Sequence, residues 1–591
     1  MVPIIFSRRL PTTTHKLTYK MERFRFNPRI VRDLRNYNKS KLAADTMAGL
    51  IVGIVALPLA IAFAIAASPG GDANHTIGPV AGIITAIVAG FIISALGGSR
   101  VQIGGPTGAF IVIIYGVVAQ FGLTGLMLAT IMAGIFLVLL GVFRLGTIIK
   151  FIPYPIVVGF TSGIAVTIFT TQVKDLFALQ MDTVPAEFVE KWIAYGKNFL
   201  SFDLATTIVG ILSIVIIALT PRFSKKVPGS LVAIILATVA VYLLNAAGIT
   251  KIETIGDRFG EIKAALPEIT ALSIFQGGIS WEMINTLIPT AITIAVLGAI
   301  ESLLSATVAD GVTGHHHDSN QELVGQGIAN IVTPFFGGIP ATGAIARTMT
   351  NINNGGRTCV AGIIHALVLL VIFIVLMPLA SYIPMSCLAG VLVVVSYNMS
   401  GWRTFRELLS NPKSDVSVLI ITFLLTVIFD LTVAIEVGLI IACLLFMKRM
   451  TESTQIKVLT DEIDANDESD MVLEEHLQIP EGVEVYEING PYYFGIANKF
   501  EEMMASMDNN PRVRIIRMRR VPFIDSTGIH NLQNLCDMSQ REGTDIVLSG
   551  VTPAVQQTLE RAGFYRLIGK DHICPNINVA LDRARELMNK A

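Results

Sequence analysis

Gly104-Gly105-Pro106-Thr107-Gly108-Ala109 and Gly337-Gly338-Ile339-Pro340-Ala341-Thr342-Gly343-Ala344 are two short, proline- and glycine-broken segments at corresponding places in the two halves of a very apolar chain. Inside a bilayer, a backbone break is tolerated only where protein or a water-filled cavity satisfies the freed N–H and C=O groups. Two matching breaks therefore predict two half-helices that line one internal site, the arrangement of a secondary transporter. The free N-terminus of a half-helix presents unsatisfied N–H donors and roughly half a positive charge. Two of them aimed at one point favour a negatively charged ligand, so the expected substrate is a small anion.

The rest of the chain fits this frame. Of 591 residues, 52% are hydrophobic and 15% charged, with a mean hydropathy of +0.63, which excludes an ordinary soluble domain and predicts an α-helical polytopic membrane protein. Apolar runs of about the twenty residues a span needs extend from Thr46 to Ala67, Ile77 to Leu96, Leu123 to Phe143, Val157 to Thr171, Leu204 to Leu219, Gly229 to Leu244, Met283 to Val308 and Val360 to Leu379. Shorter runs at Thr107 to Gln120, Leu323 to Phe336, Leu388 to Val395, Val416 to Phe429 and Thr432 to Met447 cross as broken, paired or tilted elements. With a half-helix beginning near Gly343, about fourteen spans are expected.

Basic residues crowd residues 1–41 against only Glu22 and Asp33, so the positive-inside rule places the N-terminus in the cytoplasm, and an even number of spans places the C-terminus there too. No cleaved signal is expected, since MVPIIF is followed at once by Ser7, Arg8 and Arg9, and Met21 is an alternative start. The expected location is the inner (plasma) membrane. Residues 42–448 form the membrane domain on this reading, and 449–480 a linker whose acidic stretch, Asp461 to Asp470, reads as solvated and mobile. Residues 481–591 then form an α/β domain with strands at Val483–Ile488, Val513–Met518 and Asp545–Leu548. Its helices are expected at Asn498–Met507, Ile529–Glu542, Ala554–Ala562 and Ile577–Asn589.

Ionisable groups inside spans cost several kcal/mol unless paired or solvated, so each is a functional candidate. Glu301 lies deep in an apolar helix with Ser305 one turn on. Burial penalises its ionised form, which makes it a candidate proton carrier, the alternative being a structural carboxylate paired with Arg347 or capping a half-helix. Arg347 falls near the start of the second half-helix, where it either touches the anion or serves as a counter-charge to Glu301. Glu436 reads as structural, snorkelling or capping. Thr107 opens the first half-helix after Pro106 and is either a ligand contact or a cap; Phe63 either walls the cavity or packs. The run His315-His316-His317-Asp318 reads as solvated loop polarity, because neighbouring residues on a helix do not share a face. The five cysteines are scattered, so neither disulfides nor zinc are expected. Nor does the soluble part carry a nucleophile elbow or P-loop; no enzyme activity, cofactor, metal or nucleic-acid partner is expected.

The stretches VALPLAIAFAIA, GGSRVQIGGPTGAF, PYPIVVGFTSGIAV, GAIESLLSATVADG and SNQELVGQGIANIVTPFFGGIPATGAIARTMTNINNGGRT resemble the SulP family of sulfate-permease-like anion transporters. The likeness runs from about Leu42 to the end, and the ESLLSA and ELVGQGIANIVTPFFGGI stretches look most like the bacterial DauA-type C4-dicarboxylate carriers. VPFIDSTGIHNL resembles the STAS domain that follows in that family. The resemblance implies two inverted seven-span repeats divided into a mobile core and a gate, an elevator motion and a homodimer. It places the anion between the N-termini of the third and tenth helices, here at Thr107 and Gly108 and at Ala346 and Arg347, with Phe63 as aromatic contact. Glu301 takes the place of the family's eighth-helix carboxylate, and Glu301 with Ser305, where sodium-coupled members carry Asp and a hydroxyl, favours protons over sodium. Ala346 replaces the serine that precedes the arginine in other members. Proton-driven uptake of succinate, fumarate or aspartate is the expectation; a bicarbonate, sulfate or chloride exchanger and an anion sensor signalling through the STAS domain are the alternatives. Asp525 and Ser526 form either a regulatory, phosphorylated turn, with a cytoplasmic protein partner, or a plain helix cap.

Overall fold

The computed structural model describes residues 26–589 apart from 36, 70–74, 147–152, 182–183, 186, 224–227, 261–279, 430, 460–461, 465–475 and 497–510. The chain divides into two compact units, residues 1–439 and 440–591.

In the first unit the labelled helices are α1 (Lys39–Ala66), α2 (Pro79–Leu96), α3 (Ile111–Val142), α4 (Tyr154–Phe177), α5 (Phe188–Asn198), α6 (Leu204–Phe223) and α7 (Gly229–Ala246). They are followed by α8 (Trp281–Thr313), α9 (Ser319–Val332), α10 (Ile345–Asn353), α11 (Cys359–Ala380), α12 (Met385–Met399), α13 (Lys413–Ile428) and α14 (Leu431–Ser453), the last of which runs past the division. Among the described residues, nine helices are long and apolar enough to cross a membrane. Gly122, with φ +65°, breaks α3 into two, as the separate runs ending at Gln120 and starting at Leu123 predict. With α3 counted twice and the short α5 set aside, the labelled helices of the described residues number fourteen in succession, and the broken segments precede the third and the tenth.

Packing sorts the helices into two groups. α1, α2, α3, α8, α9, α10 and α11 pack mainly on one another, as do α4, α6, α7, α12 and α13. Membrane helices associate through close backbone approach rather than hydrophobic exclusion. At the α3–α9 crossing a Cβ on Gly134 would stand 2.7 Å from the carbonyl of Gly327, and one on Gly327 2.6 Å from that of Gly134. Neither position admits a side chain.

The two breaks meet. β1 (Gly104–Gly105) pairs antiparallel with β2 (Thr342–Gly343), so the extended segments before the two half-helices cross and exchange backbone hydrogen bonds. An antiparallel crossing is what an inverted repeat produces, since corresponding segments then run in opposite directions.

The second unit is an α/β sandwich. Its sheet has the order β3-β6-β7-β8-β9, where β3 is Gln455–Leu459, β6 Val483–Asn489, β7 Val513–Arg520, β8 Asp545–Ser549 and β9 Ile573–Cys574. β3 is antiparallel to β6, and the remaining pairs are parallel. The helices α15 (Ser526–Arg541), α16 (Pro553–Arg561) and α17 (Ile577–Asn589) cover the sheet. Two expectations change. The edge strand β3 lies in what reads as linker, and Glu462–Asp464 (β4) of the acidic stretch pairs antiparallel with His476–Gln478 (β5), Ile463 in register with Leu477, while 461 and 465–470 of that stretch lie outside the described residues. The helix expected at 498–507 lies outside the described residues.

Candidate functional site

The crossing of the breaks builds the site. Pro106 cannot donate, and the chain turns into helix at Thr107, whose side chain caps the first turn by accepting from the amide of Ala109 at 3.5 Å. On the other side Ala344 caps α10 without a side-chain bond. The first helical hydrogen bond there is Thr348 N to Ala344 O, so the amides of Ile345, Ala346 and Arg347 have no protein acceptor among the described residues. Three open N–H donors at a helix start are a ready anion cradle. Ala346 and Ile345 are exposed and Thr107 half-buried, as the rim of an opening requires.

Phe63 on α1 stands over Gly108. A Cβ there would lie 3.4 Å from the Phe63 ring, 3.2 Å from Ile168 of α4 and 3.5 Å from the sulfur of Met399 of α12. The site thus lies between the two helix groups. Ile168 and Met399 are neighbours that sequence reading misses, because an isolated apolar residue in a span carries no signal.

Glu301 is buried at 9% exposure, and Oε2 accepts from the Thr107 hydroxyl at 3.1 Å. No ion pair reaches it among the described residues. Arg347, 2% exposed, instead donates to the backbone carbonyls of Gly104, at 3.5 Å, and of Pro106. The pairing of Glu301 with Arg347 that the sequence offers as one alternative is not what the fold uses. The physical reason is that the break frees two carbonyls, and a planar guanidinium reaches both at once where a carboxylate reaches neither. Gly105 makes room for it: its φ is +150°, and a Cβ there would fall on the guanidinium. Ser305 is buried and bonded to Thr348 Oγ1 at 3.2 Å, which in turn accepts from the amide of Ile103 at 3.1 Å. It is a strut between α8 and α10, not a second partner for Glu301.

A polar stripe that sequence reading leaves out holds this arrangement. On α9, Asn330 both accepts from the amide and donates to the carbonyl of Ala341, at 2.9 Å each, while Gln326 donates to Gly298 and Ala341. Glu322, fully buried, accepts from the amides of Gly98 and Ser99 at 2.7 and 2.9 Å. Gln102 donates to Ser302 at 2.6 Å. Glu322, Gln326 and Asn330 recur every four residues on one face of an apolar helix, the one signal that marks them.

Among the described residues no His/Cys/Asp/Glu cluster fits a metal. His317 is held by Asp310 at 2.7 Å while His316 is fully exposed, so the histidine run is a turn capped by a carboxylate. Glu436 is exposed. In the second unit Asp525 caps α15 through Gly528 N at 2.7 Å and also accepts from Phe494 N at 3.2 Å, leaving Ser526 exposed beside it.

Residues 42–422 match the sulfate permease family and residues 476–580 the STAS domain. The chain belongs to the sulfate permease family. It is thereby a multi-pass membrane anion transporter with a STAS domain. YvdB of Bacillus subtilis is 38% identical over 539 residues, covering 91% of this chain and 97% of YvdB. The bicarbonate transporter BicA of Picosynechococcus sp. is 28% identical over 557 residues, covering 92% and 94%. The fold is that of the solved SLC26A9 structure, with a TM-score of 0.80 over 95% of this chain and 92% of that one at 18% identity. The transmembrane domain of a cyanobacterial BicA superposes with a TM-score of 0.58 at 29% identity over 69% of this chain and 98% of that one.

Proposed function

We propose that this sulfate permease member is a proton-coupled anion symporter, with the anion held between Thr107, Gly108 and Phe63 on one side and the amides of Ala346 and Arg347 on the other. The observation that carries the coupling is the Glu301–Thr107 contact. A hydroxyl both donates and accepts, so Thr107 suits Glu301 in either protonation state, while Glu322 is tied to the amides of Gly98 and Ser99, which only donate and favour its ionised form. Of these two, Glu301 is the one that touches the opening residue of the anion half-helix, and on this reading it carries the proton. Thr107 is also the first residue of the anion helix, so the proton and the anion share one side chain. The two helix groups act as mobile core and gate of an elevator, in a homodimer of the plasma membrane with both termini cytoplasmic. The second unit, whose sheet includes β3, is a regulatory STAS domain on this reading.

A C4 dicarboxylate such as succinate is the first substrate on this reading. Bicarbonate or sulfate is the second, supported by the BicA relative. Counterflow in proteoliposomes with labelled succinate, bicarbonate and sulfate, with and without an imposed pH gradient, tests both. Exchange without gradient-driven accumulation would remove the proton and leave a simple exchanger. Binding without any flux would leave a sensor.

A further inference from the structure

Eight residues past Thr107, about 12 Å along the same helix, Tyr115 meets the surface helix α5. Lys191 of α5 is 3% exposed, with its ammonium 5.1 Å from the centroid of the Tyr115 ring. No carboxylate pairs with it among the described residues. Asp175 of α4, a nearby carboxylate, is taken by Arg258 through two bonds of 2.8 and 3.2 Å. The surroundings are apolar: Val173, Leu179, Phe177, Met181 and Val184 pack around Tyr195, one turn on from Lys191. Tyr195 is 2% exposed, and its hydroxyl has no partner. The Tyr115 hydroxyl is already spent on the carbonyl of Val184, at 2.9 Å.

A buried ammonium loses far more on leaving water than one ring face returns. Buried charges are paired, and buried hydroxyls bonded, as a rule. Here the Tyr195 O–H has no partner, and one turn before it on the same helix face no carboxylate among the described residues pairs with the Lys191 ammonium. Burial pushes Lys191 from 10.5 down to about 8, the direction expected of a cation without a counter-ion. We propose that Lys191 and Tyr195 form a second anion subsite, separate from the half-helix site and about two turns further along the same helix. It takes a compact anion such as a halide or a small carboxylate, the ammonium supplying the charge and the Tyr195 hydroxyl a second hydrogen bond. The Tyr115 ring, which now covers the ammonium, is its lid.

Trp192 reports on this place directly, since its ring lies 6.0 Å from that of Tyr195. In purified full-length protein carrying Trp281→Phe and Trp402→Phe, leaving Trp192 alone, bromide is titrated at constant ionic strength. The expected result is a saturable phase of Trp192 quenching on top of the linear collisional one. Lys191→Met removes the saturable phase or weakens it about tenfold or more, as the loss of a charged hydrogen-bond donor requires. Tyr195→Phe weakens it less, and Lys191→Arg, which keeps the charge, retains it. Arg347→Ala leaves it intact, which separates it from the half-helix site and from the transport reading. Purely linear quenching in the parent, a saturable phase unchanged in Lys191→Met, or one lost in Arg347→Ala overturns the proposal. If Lys191→Met does not fold, Lys191→Arg and Tyr195→Phe decide: a site that ignores both the loss of the phenol and the pH range in which the ammonium discharges is not this one.

Discussion

On the proposed reading, replacing Glu301 by Gln should separate proton coupling from anion binding. The carboxylate is 9% exposed and meets one hydroxyl and no cation among the described residues, so its ionised form is held against a desolvation cost of several kcal/mol. Gln keeps the shape and can still accept from Thr107, but it fixes the neutral state. The fold should therefore be unharmed, shifting by about 0 to 2 kcal/mol toward stability. Coupling should vanish. One cycling carboxylate per site means one proton per anion, and with the membrane potential clamped at zero, about pH 6 outside and about pH 8 inside support roughly 100-fold accumulation, or about 2.7 kcal/mol. Glu301→Gln should reach a ratio of about one while counterflow at equal pH continues. The assay is labelled-anion uptake in proteoliposomes at several gradients. A mutant that still gains about a decade of accumulation per pH unit refutes the assignment. A folded mutant without counterflow makes Glu301 a structural carboxylate.

Arg347→Ala should weaken equilibrium anion binding by about 1 to 3 kcal/mol, because it removes a buried positive charge and leaves the carbonyls of Gly104 and Pro106 without their donor; binding like the parent's rules out the half-helix cradle. Gly105→Ala should lower stability by about 1 to 3 kcal/mol in thermal unfolding, since its φ of +150° is reserved for glycine and the new methyl meets the guanidinium. Lys191 is lowered from 10.5 to about 8, so the folded state binds fewer protons than the unfolded one between those values, and stability should rise across about pH 8 to 10.5 by about 3 kcal/mol. Lys191→Met should flatten that rise in a denaturation series. Ser526→Asp should differ from Ser526→Ala in flux at equal expression if the exposed serine beside Asp525 is a modified turn, and identical flux leaves it a plain first-turn residue beside the Asp525 cap.

What sequence shows and what it hides divide along a physical line. Backbone breaks and misplaced charges are visible in a linear string, because proline, glycine and a lone carboxylate violate the composition of a span. That is why Thr107, Glu301 and the two breaks could be read, and why Thr107 and Glu301 prove to be bonded. Partners are set by geometry. Arg347 reads equally well as ligand contact or counter-charge, and only the crossing of β1 and β2 brings the carbonyls of Gly104 and Pro106 within its reach. Glu322, Gln326 and Asn330 carry a four-residue rhythm that passes unread when apolar length alone defines a span. β3 is short and follows directly on the last helix, so composition assigns it to a linker. α5 is too short and too mixed to register as a span, yet it supplies the buried lysine.

The small sheet between the breaks has a kinetic meaning. Gly104 pairs with Gly343 and Gly105 with Thr342. Ala344 N bonds Ile103 O at 2.9 Å, Asn351 bonds Val101 O at 2.8 Å, and Arg347 closes the far side. At about 1 kcal/mol per bond, prying the half-helices apart costs roughly 5 kcal/mol, more than an anion bound in the millimolar range returns. The cradle is therefore a rigid unit, and in the elevator proposed above it would carry the same contacts to either side of the membrane. A carrier built this way has no preferred face of its own, so the direction of travel belongs to the gradient.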